Sequence, residues 1–190
     1  MRVGFPCCLV FLFSLGLCGP AMAAQPWMTE AKAILAPAGY RDFCARAVAL
    51  CGAADQPLRK VPVSAAAIEV LEKYNQKFNN HILYRPDAAL YGRTDYWVVA
   101  TTAGDCEDIA LAKRAALIAA GWPPGALWLA IGRDTAGQTH AVLVLRSDKG
   151  DLVLDNRTSR VTFWHQSRLH WIARQVPGDS HYWRLLETRL

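Results

Sequence analysis

Long runs of one kind of residue are absent from most of this sequence, and their absence excludes several classes of protein. Of the 190 residues, 19% are charged, the formal net charge is only +5, and no run of five or six like charges occurs. A nucleic-acid-binding arm is therefore not expected. Beyond the N-terminal segment, no apolar run reaches the roughly 20 residues that a membrane span needs. The 53% hydrophobic content instead indicates one globular domain with a substantial core.

Residues 1–23 have the pattern of a secretory signal peptide. Arg2 supplies a positive charge at the start, Leu9–Leu17 is an apolar stretch, and Ala21-Met22-Ala23 places small residues before a cleavage site. We therefore expect export to the periplasm, an oxidising compartment.

Two other interpretations of this segment are less favoured. A membrane anchor is disfavoured because the apolar stretch is short and Pro20 interrupts it. A lipoprotein modified at Cys18 is a second alternative, although Leu17 is bulky for the position before a lipidated cysteine. After cleavage, residues 24–190 are expected to form a single domain.

Cysteine is scarce in the exported part of the chain. It retains only Cys44, Cys51 and Cys106, and it lacks the HExxH and CxxC spacings of common zinc sites. Cys44 and Cys51 lie seven residues apart, and Gly52 allows the chain to bend, so a disulfide between them is plausible. Cys106 would then be the unpaired thiol, either a buried apolar residue or a reactive one.

Hydrophobic periodicity predicts helices first and strands afterwards, which is an α+β fold. Two helices are expected within 27–51, a third after Ser64, an irregular segment over 79–104, and a helix from Cys106 to Ala120. Strands are expected at 127–131, 140–146 and 152–155, with weaker candidates at 170–173 and 182–186. The helical lobe would span about 24–120 and the sheet lobe about 121–190.

Cys106, His140 and Asp155 have the residue types and the placement of a catalytic triad. Cys106 opens a helix, where the dipole favours a thiolate. A two- or four-residue turn within 147–150 would put His140 and Asp155 on one face of a hairpin, as diagonal neighbours. A three- or five-residue turn would separate them. Taken singly, His140 could simply begin a strand and Asp155 could simply open a turn.

Three carboxylates surround the candidate nucleophile: Asp105, Glu107 and Asp108. Such residues commonly complement a helix N-terminus. Beside a thiolate, however, they should raise the thiol pKa unless a cation neutralises them. Calcium is the natural oxygen-bound cation outside the cytoplasm.

The chain resembles the bacterial transglutaminase-like cysteine proteinases, the group that contains the LapG-type periplasmic proteases. The resemblance covers about Phe43 to Arg174 and is carried by five short blocks: Tyr91-Gly92, Asp95-Tyr96-Trp97, Gly104-Asp105-Cys106-Glu107-Asp108, Thr139-His140-Ala141-Val142-Leu143 and Leu152-Val153-Leu154-Asp155-Asn156. It implies a papain- or transglutaminase-like core. It also implies that Cys106 is the nucleophile, His140 the base and Asp155 the orienting carboxylate.

The same resemblance implies a cofactor, a substrate and a partner. Calcium would be bound by Asp105 and Glu107, with Asp108 as a further candidate. The substrate would be a large secreted adhesin cut at a pair of small residues, which controls biofilm attachment. An inner-membrane receptor for cyclic di-GMP would sequester the protease.

The oxyanion of the transition state needs hydrogen-bond donors. The Cys106 backbone N–H is one candidate, and Trp97 or Tyr96 is a candidate for the second. Two other functions remain open at this point: a transglutaminase or amidase that acts on cell-wall peptides with the same triad, and a non-catalytic calcium-binding module.

Overall fold

A seven-stranded antiparallel sheet is the framework of the computed structural model, which describes Met1 and residues 25–52, 56–176 and 179–187. Apart from Met1, the predicted signal peptide and the lipoprotein candidate Cys18 lie outside the described residues. Within those residues, no helix is both long and apolar enough to cross a membrane. The fold is α+β, as predicted from the sequence.

Along the chain, the helices mostly precede the strands of the large sheet. The helices are α1 (Ala38–Arg46), α2 (Val48–Gly52), α3 (Ala65–His81), α4 (Asp87–Tyr91) and α5 (Cys106–Ala119). The strands are β1 (Glu30–Leu35), β2 (Leu83–Tyr84), β3 (Ala103–Gly104), β4 (Leu127–Arg133), β5 (Thr139–Ser147), β6 (Gly150–Leu154), β7 (Thr162–Phe163), β8 (His170–Val176) and β9 (Asp179–Leu186). The large sheet has the order β1-β9-β8-β4-β5-β6-β7, and β2 pairs with β3 separately.

The two faces of strands β5 and β6 enter different hydrophobic clusters because side chains alternate along a strand. Leu143 and Leu154 face the cluster that includes Leu111 of α5. Val144 and Val153 face the opposite cluster, with several tryptophans. Helix α5 therefore covers one face of the sheet centre, and α3 packs against α5.

The β5–β6 hairpin has the predicted register. Arg146 pairs with Asp151 and Val144 with Val153, and the turn between Ser147 and Gly150 contains two residues. Gly150 has φ of 141°, which favours glycine at the end of this turn. The register needed to bring His140 and Asp155 together is therefore present.

The prediction of two helices within 27–51 is wrong at its start. Residues Glu30–Leu35 form the edge strand β1, which pairs with β9 from the other end of the chain. Pro37 favours extended backbone just before it, and β9 supplies the hydrogen bonds that local periodicity cannot reveal. Strand β1 thus belongs to the sheet, although it lies in the segment assigned to the helical lobe.

The segment 79–104 contains more regular structure than predicted. It holds the end of α3, the short strands β2 and β3, and helix α4. Elements of two to five residues are too short for periodicity to identify. The predicted disulfide is present, with the Cα atoms of Cys44 and Cys51 5.0 Å apart.

A buried ion pair holds the β5–β6 hairpin in register. Arg146 Nε and Nη2 donate to Asp151 Oδ1 and Oδ2 at 2.7 and 2.9 Å, and Asp151 has no exposed surface. Asp151 Oδ2 also accepts the Met28 N–H at 2.7 Å. The pair therefore ties the hairpin to the N-terminal segment that crosses it.

We expect Asp151→Ala to destabilise the protein by about 3–5 kcal/mol, because it leaves the Arg146 charge buried without a partner. Denaturant unfolding would measure this loss. The matched control is Asp42→Ala, which removes an exposed partner of Arg46 one helical turn away. The control should cost about 0.5 kcal/mol or less. Equal losses in the two variants would contradict a register-fixing role.

Candidate active site

Cys106 is the first residue of α5, and Asp105 is the residue that precedes this helix. The thiol is the only free one among the described cysteines and is partly buried. Its Sγ donates to Glu107 Oε2 at 3.1 Å and accepts the Ala141 N–H at 3.4 Å. The N-terminus of α5 therefore meets strand β5 one residue beyond His140.

His140 and Asp155 form a short hydrogen bond. His140 Nε2 and Asp155 Oδ1 are 2.8 Å apart, and the His140 side chain is only 1% exposed. Strand β6 ends at Leu154, so Asp155 is the first residue beyond the ladder. The hairpin register and the alternation along both strands account for this contact.

The Asp155 carboxyl is held in its ionised form. Burial alone would raise its pKa, but the hydrogen bond and charge of His140, the Arg157 N–H and the Lys113 charge together lower it. An ionised carboxylate only accepts, so Nε2 carries the hydrogen of this bond. Nδ1 of His140 is buried and lacks a hydrogen-bond partner among the described residues. It is therefore the ring nitrogen left to accept a proton.

In this conformation the thiol contacts the backbone next to His140 but is not bonded to the imidazole. Alternation along β5 places His140 with Val142, whereas α5 covers the face of Leu143. Within the described residues, no hydrogen bond joins Cys106 Sγ to the His140 ring, and the thiol hydrogen points to Glu107 instead. The sulfur must exchange this partner before its proton can reach Nδ1.

Three carboxylates beside the thiol could hold a metal ion. One oxygen each of Asp87, Asp105 and Glu107 lies within 4.8 Å of the others. Asp87 Oδ1 and Asp105 Oδ1 are buried and lack hydrogen-bond partners among the described residues. Buried oxygens without donors are what a hard cation requires, so these residues fit calcium.

Asp108 lies outside this group, although the sequence made it a third candidate. It is fully buried, its Oδ1 accepts the Val98 N–H at 2.8 Å, and its Oδ2 is buried and lacks a hydrogen-bond partner among the described residues. Asp87 takes the third place and was missed, because it lies 18 residues before Asp105. Pro86-Asp87 is a usable signal for a helix start, but it does not show that α4 approaches α5.

The electrostatics of this group favour a cation. Burial and the neighbouring Asp105 raise the pKa of Glu107 to about 8, and burial raises the pKa of Asp87. Burial and then Glu107 also raise the pKa of the Cys106 thiol. The expectation that the carboxylates oppose thiolate formation is thus supported, and the thiol is protonated at neutral pH in this arrangement.

The structure does not leave the Trp97 indole free as an oxyanion donor. Its Nε1–H donates to Asp95 Oδ1 at 2.7 Å, and the side chain is buried in the core. The Tyr96 N–H is also engaged, by the Asp87 carboxylate. The expected role of Trp97 as an oxyanion donor is therefore corrected to that of a packing residue. The Cys106 N–H, in the first turn of α5, stays a candidate oxyanion donor.

A cavity of about 380 Å³ opens over the thiol. Its walls include Tyr84, Trp97, Ile131 and Thr139, together with Cys106. Tyr84 was not singled out from the sequence, because β2 is too short to show a pattern.

Comparisons with known proteins show the family and the fold of the chain. The sequence model of the bacterial transglutaminase-like cysteine proteinases matches residues 30–189. Two solved structures of Legionella pneumophila LapG are similar in fold. The calcium-bound one has a TM-score of 0.54 at 24% identity, covering 82% of this chain and 84% of that chain. The EGTA-treated one has a TM-score of 0.53 at 24% identity, covering 82% of each chain. No curated protein matches the sequence.

We expect Glu107→Gln to accelerate alkylation of Cys106 by iodoacetamide several-fold in calcium-free buffer at about pH 9, where the Glu107 carboxyl, whose pKa is about 8, is ionised. Removing the anion lowers the thiol pKa and so increases the thiolate fraction. Mass spectrometry of the modified peptide gives the rate. Glu69→Gln, at an exposed position on α3, is the matched control and should not change it. An unchanged rate in the Glu107 variant would contradict the electrostatic account.

Proposed function

The chain belongs to the bacterial transglutaminase-like cysteine proteinases, and we propose that it is a calcium-dependent periplasmic endopeptidase that cleaves a large cell-surface adhesin. One observation carries the catalytic part of the proposal. His140 is bonded to Asp155 at 2.8 Å with its other ring nitrogen unpaired, and the thiol at the start of α5 accepts the N–H of the next residue, Ala141. These are the residue types that a cysteine nucleophile requires, namely a base and a group that orients the base.

Each of the three residues Cys106, His140 and Asp155 has its own role in peptide hydrolysis. His140 Nδ1 takes the Cys106 proton, and the sulfur attacks the scissile carbonyl carbon. Asp155 holds the ring so that Nδ1 faces the reaction, and it stabilises the imidazolium. The imidazolium then gives its proton to the leaving amine. A water molecule, deprotonated by His140, hydrolyses the thioester and releases the acid.

The oxyanion formed during both steps requires donors close to the sulfur. The Cys106 N–H lies at the first position of α5, where backbone N–H groups have no partner within the helix. The helix dipole favours negative charge at the same place. Together they would stabilise the tetrahedral intermediate.

Asp87, Asp105 and Glu107 would hold the calcium ion. When bound, it supplies positive charge that offsets the three carboxylates and so favours the thiolate. Glu107 is also the acceptor of the thiol hydrogen at 3.1 Å. A Glu107 carboxylate engaged as a ligand leaves the Cys106 proton to His140.

The substrate, the compartment and the regulation are proposed from the family resemblance. The substrate is an adhesin cut at small residues, which suits the cavity over Cys106, and its release controls biofilm attachment. A membrane receptor for cyclic di-GMP would restrain the protease. The signal-peptide pattern of residues 1–23 and the Cys44–Cys51 disulfide support the periplasm as the location.

We expect Cys106→Ala to abolish cleavage of the N-terminal region of the adhesin, and Asp155→Asn to lower kcat by up to about 10⁴-fold with the fold intact. Gel analysis and mass spectrometry of the products would measure this. An added primary amine tests the rival activity. Products carrying the amine would indicate a transglutaminase, and full activity in the Cys106 variant would exclude the triad.

We expect EGTA to stop cleavage and added calcium to restore it. Asp87→Asn should raise the calcium concentration for half-maximal activity at least tenfold, because one charged ligand is lost. Asp108→Asn is the comparison, since Asp108 accepts the Val98 N–H and is not one of the three residues whose oxygens cluster within 4.8 Å. It should stay within about twofold of the unmodified protein. Calcium titration of the cleavage rate distinguishes Asp87 from Asp108 as the third ligand.

A further inference from the structure

Lys113 is a charged side chain with no exposed surface and no part in the mechanism above. Its Nζ donates to Asn75 Oδ1 at 2.6 Å and to the Leu154 carbonyl oxygen at 3.3 Å. Leu154 is the last residue of β6 and directly precedes Asp155. The lysine therefore reaches the backbone that carries the candidate orienting carboxylate.

Two asparagines of α3 donate hydrogen bonds to the backbone of the same segment. Asn75, which is also fully buried, donates through Nδ2 to the Thr158 carbonyl oxygen at 2.7 Å. Asn79 Nδ2 donates to the carbonyl oxygens of Asp155 at 3.1 Å and Thr158 at 2.9 Å. Side chains from two helices thus bind three carbonyl groups of the segment 154–158.

Helix α5 connects this network to the nucleophile. Cys106 and Lys113 lie seven residues apart, which is two turns and about 10 Å along one side of a helix. The sulfur contacts β5 at Ala141, while the ammonium contacts β6 at Leu154. One rigid element therefore sets the distance between the thiol and the Asp155 segment.

Stability alone does not account for a buried lysine. Taking an ammonium out of water costs free energy, and a methionine would fill the same space without that cost. Burial lowers the pKa of Lys113 to about 7, and the negative charge of Asp155 opposes this shift. The same attraction helps to keep Asp155 ionised. A lysine buried at such cost and hydrogen-bonded to the residue before Asp155 indicates a role in the site.

We propose that Lys113, supported by Asn75 and Asn79, is a positioning residue that fixes Asp155 for its hydrogen bond to His140. The inference rests on the proposed function, because it assigns Lys113 an effect on catalysis through Asp155. It concerns alignment of the imidazole, since Lys113 contacts neither the cavity over Cys106 nor the acidic group.

The test compares Lys113→Met with Lys73→Met, which replaces an exposed lysine on α3. We expect Lys113→Met to lower kcat about tenfold or more with KM within about twofold, since misalignment near the reacting groups affects the transition state. Lys73→Met should match the unmodified protein. The proton NMR signal of His140 Nε2–H, shifted downfield by Asp155, should weaken only in the Lys113 variant. A folded Lys113→Met protein with unchanged kcat and an unchanged signal would overturn the proposal.

Asn79→Ala provides a second variant in case Lys113→Met does not fold. It removes the bonds to the Asp155 and Thr158 carbonyls from a half-buried position and leaves Lys113 in place. It should also lower kcat and weaken the His140 signal. Unchanged kcat and signal in this variant would overturn the proposal if Lys113→Met is unfolded.

An Asp155→Asn background shows whether Lys113 acts through Asp155. There, Lys113→Met should cause little further loss, and a full additional tenfold loss would overturn the proposed route. If the unmodified chain cleaves no adhesin, the proposed function fails, whereas the His140 signal still decides whether Lys113 positions Asp155.

Discussion

The arrangement of the site depends on the register between β5 and β6. Side chains alternate along a strand, so a slip of one residue would send His140 and Asp155 to opposite faces of the sheet. The two-residue turn and the buried pair of Arg146 and Asp151 prevent that slip. The ion pair lies at the turn, far along the strands from His140, but its effect is transmitted because backbone pairing is rigid.

The nucleophile lies where two electrostatic influences oppose each other. The N-terminus of α5 favours a thiolate, while burial and nearby carboxylates favour the neutral thiol. Burial and the carboxylates together prevail in this arrangement, and the thiol hydrogen turns to Glu107. An ion held by Asp87, Asp105 and Glu107 would reverse the balance. On the proposed function, activity would therefore depend on an ion supplied from outside the chain.

The sequence predicted the parts of the molecule that local rules control. Cysteine spacing indicated the Cys44–Cys51 disulfide, and strand alternation with the turn length indicated the contact of His140 with Asp155. Contacts between distant segments were not predictable in this way. Strand β1 was taken for a helix because its partner β9 is about 150 residues away. Asp87 was missed for the same reason. The Trp97 indole was expected to be free because its hydrogen bond to Asp95, only two residues before it, was not considered.

One edge of the sheet is formed by β1 and β9, two strands that are far apart in sequence. Strand β1 lies at the sheet edge and pairs with β9, so among the described residues it cannot be paired until residues 179–186 have been made. Residues 65–155 already contain every side chain proposed for catalysis and calcium binding. A protein shortened before β9 would consequently lose the support of its N-terminal strand as well. Cleavage that removes β9 would thus take two strands from one edge of the sheet at once and leave β8 exposed.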